Sequence, residues 1–281
     1  MQIIEILKAI ILGIVEGVTE WLPISSTGHM ILVNQFLHQN MSEEFKKMFL
    51  VVIQFGAVLA VVVLFWNKLF PFAIRRKGNE SVIKKDIFVM WFKILIACIP
   101  AAVVGLLWDD KIDELFYNYQ TVSIALIVVG IWFIIVENKN AGKKPRVISI
   151  ADITYKDAII IGLFQLVSAV FPGTSRSGAT IIGAMMVGVS RGIATEFTFF
   201  LAVPVMFGAS LLKIAKFGFS FTMIEGTVLF VGMAVAFAVS MVIIKALTGY
   251  VKKHDFKIFG WYRIVLGCAV LGFFLIKGIL G

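Results

Sequence analysis

"EGVTEWLPISSTGH", Glu16–His29, interrupts a run that is otherwise mostly apolar from residue 3 to residue 37. Two glutamates, three successive hydroxyls, a proline and an imidazole occupy a stretch whose flanks are greasy enough for the inside of a bilayer. The apolar arms on either side are mostly about ten to fifteen residues long, short of the roughly twenty that a spanning helix needs. Proline, glycine and hydroxyls at the break predict a helical hairpin that dips into the membrane and returns. Unpaired backbone at that depth is tolerated only where protein or a wet cavity surrounds it. A second break, "FPGTSRSG" at Phe171–Gly178, divides the apolar residues 157–190 in the same way.

The two breaks read as copies of one another. At an offset of 149, "GIVEGVTEWLPISST" (Gly13–Thr27) lies over "GLFQLVSAVFPGTSR" (Gly162–Arg176), so that Gly13 meets Gly162, Glu16 meets Gln165, Pro23 meets Pro172 and Ser26 meets Ser175. After three inserted residues, Glu44–Phe45 match Glu196–Phe197, and Phe55–Ala57 match Phe207–Ala209. Six further segments, 44–66, 87–107, 119–137, 194–214, 225–246 and 258–277, are uninterrupted and long enough to span. The expected fold is an all-α integral membrane protein, a single membrane domain over 1–281. Its first repeat is 1–137, its second 150–281, and residues 138–149 form a cytoplasmic linker. Each repeat is a re-entrant helical hairpin followed by three transmembrane helices. An odd number of spans inverts the second repeat, and inverted repeats with broken helices place a ligand near the midplane.

Composition agrees. The chain is 60% hydrophobic and 15% charged, with a mean hydropathy of +0.97, against about half apolar and a quarter charged for soluble domains. The net charge of +9 is not a nucleic-acid footprint, because it is confined to short loops. Lys68, Arg75, Arg76, Lys77, Lys84 and Lys85 crowd one; Lys139, Lys143, Lys144 and Arg146 another; Lys252, Lys253 and Lys257 a third. "DDKIDE" (Asp109–Glu114) reads as an acidic loop. Basic loops face the cytoplasm, which puts both termini on the external side, Lys277 alone weighing against it. The N-terminal "MQIIEILKAIILGIVEG" lacks the small-residue cleavage site of a signal peptide. Cys98 and Cys268 fall in apolar spans and read as small buried hydrophobes. His38 and His254 read as solvated loop residues. Trp66, Trp108, Trp261 and Tyr262 fit an interfacial belt, and Trp21 fits packing within the site. Small residues such as Gly183 and Gly188 suit close helix packing within or between chains, which leaves a homodimer open.

The chemistry sits at the breaks. Glu16 and Glu20 are one helical turn apart and share a face, and a carboxylate in hydrocarbon is costly enough that both should meet a polar cavity. Ser25, Ser26 and Thr27 precede Gly28 and His29, where a restarting helix would aim free N–H groups into the break, an anion site. Gly173, Thr174, Ser175, Arg176, Ser177 and Gly178 offer close backbone approach, hydroxyl donors and a planar guanidinium suited to phosphate oxygens. Carboxylates beside a polyanion call for protons or a divalent cation, and Mg²⁺ or Ca²⁺ bridging carboxylate and diphosphate oxygens meets that need. Ser26 would attack phosphorus with His29 moving the proton, or a metal-bound water would attack instead. Each residue also has a plainer use. The hydroxyls satisfy backbone in membrane helices, the glutamates pair with Arg176 as a structural salt bridge, and His29 is an interior hydrogen-bonded imidazole.

"EGVTEWLPISSTGH" followed by "PGTSRSG" resembles the undecaprenyl-diphosphate phosphatase family, also called bacitracin-resistance proteins, and the likeness covers the whole chain. It implies hydrolysis of undecaprenyl diphosphate to undecaprenyl phosphate and inorganic phosphate, which recycles the lipid carrier of the cell wall. It implies a multi-pass protein of the bacterial inner membrane with its site opening to the external, periplasmic face, acting on a polyprenyl diphosphate among membrane lipids. The family's acidic pair falls on Glu16 and Glu20, tied to divalent metal and catalysis. Its serine and histidine fall on Ser26 and His29, and its diphosphate-holding motif on Thr174, Ser175 and Arg176. The same inverted layout suits a lipid-phosphate flippase or transporter, which needs no nucleophile. An intramembrane serine protease would leave Glu16 and Arg176 idle.

Overall fold

The computed structural model describes residues 2–37, 39–72 and 83–280. His38 and the basic residues Arg75, Arg76 and Lys77 lie outside the described residues. Among the described residues every regular element is a helix. The first broken pair is α1 (Gln2–Thr19) and α2 (Ser26–Phe36); the second, after three further long helices, is α7 (Tyr155–Val170) and α8 (Arg176–Met186). Between them run α3 (Glu43–Leu64), a single turn α4 (Trp66–Leu69), α5 (Lys85–Phe116) and α6 (Tyr119–Asn140). After them come α9 (Arg191–Phe217), α10 (Met223–Tyr250) and α11 (Lys257–Leu280). Six helices, α3, α5, α6, α9, α10 and α11, are long and apolar enough to cross a membrane, at the six places that apolar run length marks in the sequence.

Three expectations change. The acidic stretch Asp109–Glu114 is no loop: it continues α5 beyond its apolar part, which ends at Trp108. The first arms are longer than their apolar content suggests, 18 residues in α1 and 16 in α7. Both helices run through their polar residues to the edge of the break, and Thr19 returns its hydroxyl to the Val15 carbonyl at 2.6 Å. Cys268 is exposed on the outer surface of α11, and only Cys98 is partly covered.

Packing couples the two halves of the chain. α1 lies on α10 and α7 on α5, while α3 meets α9 and α6 meets α11. Exchanging each first-half helix for its second-half counterpart leaves those four pairings unchanged. In lipid there is no hydrophobic drive between helices, so close approach must carry the association. Glycine supplies it where α6 crosses α11. A Cβ on Gly130 would lie 2.7 Å from the Gly260 carbonyl, and one on Gly260 2.8 Å from the Gly130 carbonyl. The aligned Phe55 and Phe207 touch across α3 and α9, with ring centroids 5.7 Å apart. Gly183 and Gly188 meet Phe164 and Arg146 of the same chain, so their packing is internal. Pro100 interrupts the ladder of α5 and Pro204 that of α9.

One buried polar clamp closes the end where the connecting loops are basic. Glu137, 1% exposed, receives both Nε and Nη2 of Arg191 and the backbone N–H of Phe256. It thereby joins the end of α6, the start of α9 and the turn into α11. In the linker, Arg146 Nη2 donates to Asp157 at 2.6 Å and also reaches the Val187 carbonyl. Asp157 completes a capping box with Thr154 at the start of α7. Burial raises the Asp157 carboxyl, but Arg146 and Thr154 outweigh it and hold it below the ordinary carboxylate range, while Asp157 raises Arg146 in turn.

Candidate active site

Each break stops one helix and starts the next with the same device. Ser25 and Ser175, with φ of 73° and 67°, are the only non-glycine residues of positive φ among those described. Each caps the helix that follows: Ser25 Oγ accepts from Gly28 N, and Ser175 Oγ from Gly178 N. The structural equivalence is therefore Ser25 with Ser175, one residue off the sequence alignment, which pairs Ser26 with Ser175. The cap and the glycine three residues later decide the register, and a proline match does not. Ser26 then corresponds to Arg176, each the first residue of its helix. Left-handed backbone at a serine is costly and persists only where surroundings over-determine it.

The two breaks meet. Arg176 Nη2 donates to Glu20 Oε1 at 2.8 Å, its Nη1 donates to the Thr198 carbonyl at 3.1 Å, and its guanidinium lies 5.9 Å from the centroid of the Trp21 ring. Ser26 Oγ donates to the other oxygen of the same carboxylate, Glu20 Oε2, at 2.8 Å. Ser177 Oγ shares its proton between the Glu20 and Leu22 carbonyls. Glu20, Ser26, Thr27, Gly173, Ser175 and Arg176 line one cavity of about 550 Å³. Its remaining walls are largely apolar, from α5 (Leu95, Ala102, Leu106) and α9 (Val205, Met206, Leu212). A charged corner at the base of an apolar slot suits an amphiphile with an anionic head.

The other residues marked in the sequence stand behind that surface. Glu16 is 1% exposed, with Oε1 lacking any partner, and it lies within electrostatic reach of Glu20 and Arg176. Ser25 and Ser177 hold backbone, and Thr174 offers its carbonyl to Arg263. His29 is placed away from Ser26's proton. Its Nδ1 meets the Ser25 carbonyl at 2.7 Å and its Nε2 the Tyr262 hydroxyl at 2.7 Å, the two rings lying nearly parallel. A carbonyl only accepts, so Nδ1 carries hydrogen, and in the neutral ring Nε2 accepts from Tyr262. Trp21 is fully buried, edge-on to Phe199 at 5.3 Å. His254 is exposed and stacks on Tyr250.

Three groups escape sequence reasoning. Tyr262 looks like a belt tyrosine yet bonds His29. Gln165, the counterpart of Glu16, is 2% exposed in the cavity wall, with neither amide atom partnered. Among the described residues Arg263, rather than Arg176, is the most deeply buried cation: it has no exposed surface and bonds carbonyls from both breaks. Only its place in an apolar span signals it.

For a hard cation the donors are oxygens, as they should be. Glu16 Oε1 and Gln165 Oε1 are free to coordinate, whereas both Glu20 oxygens are engaged. Among the described residues no cluster of three or more His, Cys, Asp or Glu side chains forms a complete cage. A cation held by either free oxygen would take most of its ligands from phosphate and water, the usual habit of Mg²⁺.

A family model described as bacitracin resistance protein BacA matches residues 9–269. The undecaprenyl-diphosphatase 1 of Clostridium acetobutylicum is 65% identical, covering 98% of this chain and 100% of that one. The undecaprenyl-diphosphatase of Desulfitobacterium hafniense is 61% identical over the full length of both. That of Enterococcus faecalis is 60% identical over 96% of this chain and 98% of its own. With nearly its whole length matched by the family model and by relatives of this identity, the chain belongs to the bacitracin resistance protein BacA family.

Proposed function

We propose that the chain is an integral membrane hydrolase that cleaves undecaprenyl diphosphate to undecaprenyl phosphate and inorganic phosphate. The observation that carries this reading is the shared carboxylate of Glu20, held between Ser26 and Arg176 at the polar end of an apolar-walled cavity. The names of its relatives supply the lipid; the cavity supplies the place for a diphosphate head and a long apolar tail.

Arg176 gives up Glu20 for the terminal phosphate, a bidentate match for phosphate oxygens. The N–H groups at the starts of α2 and α8 add to the same field. Ser26 attacks the terminal phosphorus while Glu20, already 2.8 Å away, takes its proton. The bond from that phosphorus to the bridging oxygen breaks, and undecaprenyl phosphate leaves. Water then attacks the phosphoserine phosphorus, and the bond to Ser26 Oγ breaks. Glu20 returns its proton to Oγ, and inorganic phosphate leaves with the water's oxygen and protons. His29, committed to Ser25 and Tyr262, shapes the turn that presents Ser26 in place of the base role its proximity in sequence suggests. Glu16, with the Gln165 carbonyl, would hold Mg²⁺ or Ca²⁺. When bound, that ion neutralises charge on the phosphate oxygens.

The pairings that survive exchange of the halves, and the twin serine caps, support two repeats, 1–137 and 150–281. Each is a re-entrant hairpin plus three spans, inverted about the bilayer midplane. Basic loops support a cytoplasmic linker at 138–149 and a cavity opening to the external face of the inner membrane. The test is phosphate release by purified protein from a polyprenyl diphosphate with Mg²⁺ or Ca²⁺. Release that a chelator abolishes and either ion restores is expected. No release from any polyprenyl diphosphate under those conditions refutes the assignment.

A further inference from the structure

Arg263 of α11 is a fully buried guanidinium whose partners are backbone carbonyls and, among the described residues, no carboxylate. Nη1 donates to the Pro23 carbonyl at 3.2 Å. Nη2 donates to the carbonyls of Gly173 and Thr174 at 2.8 and 2.9 Å. One arm of the fork thus holds the first break and the other arm the second. Those carbonyls lie one or two residues before the left-handed serine caps, where no helix satisfies them, and unpaired backbone at membrane depth is costly. Space is kept for the fork: a Cβ on Gly178 would lie 3.4 Å from Arg263 Nη1 and 3.3 Å from the Phe133 ring. The neighbouring Tyr262 reaches the same first break through His29.

We propose that Arg263 is the positioning residue that fixes the spacing and register of the two breaks, so that Arg176 from one stands opposite Glu20 and Ser26 from the other. It touches no substrate. It acts through Arg176 and Ser26, which lie two or three residues beyond the carbonyls it grips. Its positive charge, balanced by carbonyl dipoles alone, also adds to the field that draws an anion to the cavity.

The inference rests on the hydrolase reading, and the experiment separates the two. Full-length protein in detergent is assayed for phosphate release across substrate concentration, as wild type, Arg263→Lys, Arg263→Met, Arg176→Lys and the double lysine variant. Lysine keeps the charge but reaches one break at a time. Arg263→Lys should keep a monodisperse elution profile and a KM within about threefold of wild type, while kcat falls at least roughly tenfold, since misplacing reacting groups by an ångström costs up to about a hundredfold. Arg263→Met should lose more. Because Arg263 works through Arg176 and Ser26, which act as one unit, the double lysine variant should be little worse than Arg176→Lys alone. Wild-type kcat in folded Arg263→Lys overturns the proposal, whether or not Arg263→Met folds. So does a loss confined to KM, or losses that multiply in the double variant. A wild type that releases no phosphate refutes the hydrolase reading instead.

Discussion

Replacing Arg176 by glutamine tests the pairing of the two breaks on stability and activity at once. Its side chain is 12% exposed and that of Glu20 8%, so the pair is buried and largely unscreened. Removing one member of such a pair strands the other charge and costs about 3–5 kcal/mol. Arg176→Gln and Glu20→Gln should each destabilise by about that amount, measured by reversible unfolding in mixed micelles. The double variant strands neither member of the pair, so its loss should fall short of the sum by about 2 kcal/mol, within the range of contacting residues. Activity should not recover with stability. The terminal phosphate loses its guanidinium in one single variant, Ser26 loses its proton acceptor in the other, and the double variant loses both. Each should therefore fall at least about a hundredfold in kcat/KM, the usual scale for deleting a preorganised charge donor. Strictly additive destabilisation would mean the pair is not coupled as drawn. Wild-type kcat/KM in either single variant would remove the pair from the chemistry.

Ser26→Ala should lose at least about a hundredfold in phosphate release while retaining binding of the diphosphate, checked by competition with an uncleavable analogue; unchanged turnover would leave a water as the attacking group. Gly173→Ala should fold poorly, because φ there is +94° and a Cβ would meet the Val122 carbonyl at 2.6 Å; a monodisperse, fully active variant would contradict that close approach. Asp157 titrates below its ordinary value in the folded chain. Its contribution to stability is therefore complete above the unfolded-state pKa and is lost as pH falls through the folded one. Asp157→Asn should flatten the acid limb of a stability–pH profile, and an identical limb in variant and wild type would refute the Arg146–Asp157 contribution.

Apolar run length located all six spanning helices, because desolvated backbone leaves few alternatives in a bilayer. The same reasoning made Glu20 and Arg176 conspicuous, since isolated charge at that depth needs a partner, and each proved to be the other's. What escaped depended on contacts invisible along the chain. Arg263 bonds residues 90 and 240 positions away, and in a window of sequence it is one cation near aromatic residues, indistinguishable from an interfacial anchor. His29 was placed with Ser26 by proximity in sequence, but backbone direction after the cap turns the ring to Tyr262. The offset of 149 joins Gly13 to Gly162 and Glu16 to Gln165, whereas the caps Ser25 and Ser175 stand one residue further apart, a shift that only their φ reveals. Asp109–Glu114 read as a loop because charge tracks bilayer exit, and a helix is free to continue into water.

Pro100 and Pro204 fall in α5 and α9, the two spans that supply most of the cavity's apolar wall. A proline removes one rung of a helix and leaves a carbonyl one turn earlier without its donor. Those two walls each lack a rung already, so bending there costs less than in an unbroken helix. A lipid diphosphate entering between them would keep its tail among acyl chains and present only its head to the polar corner.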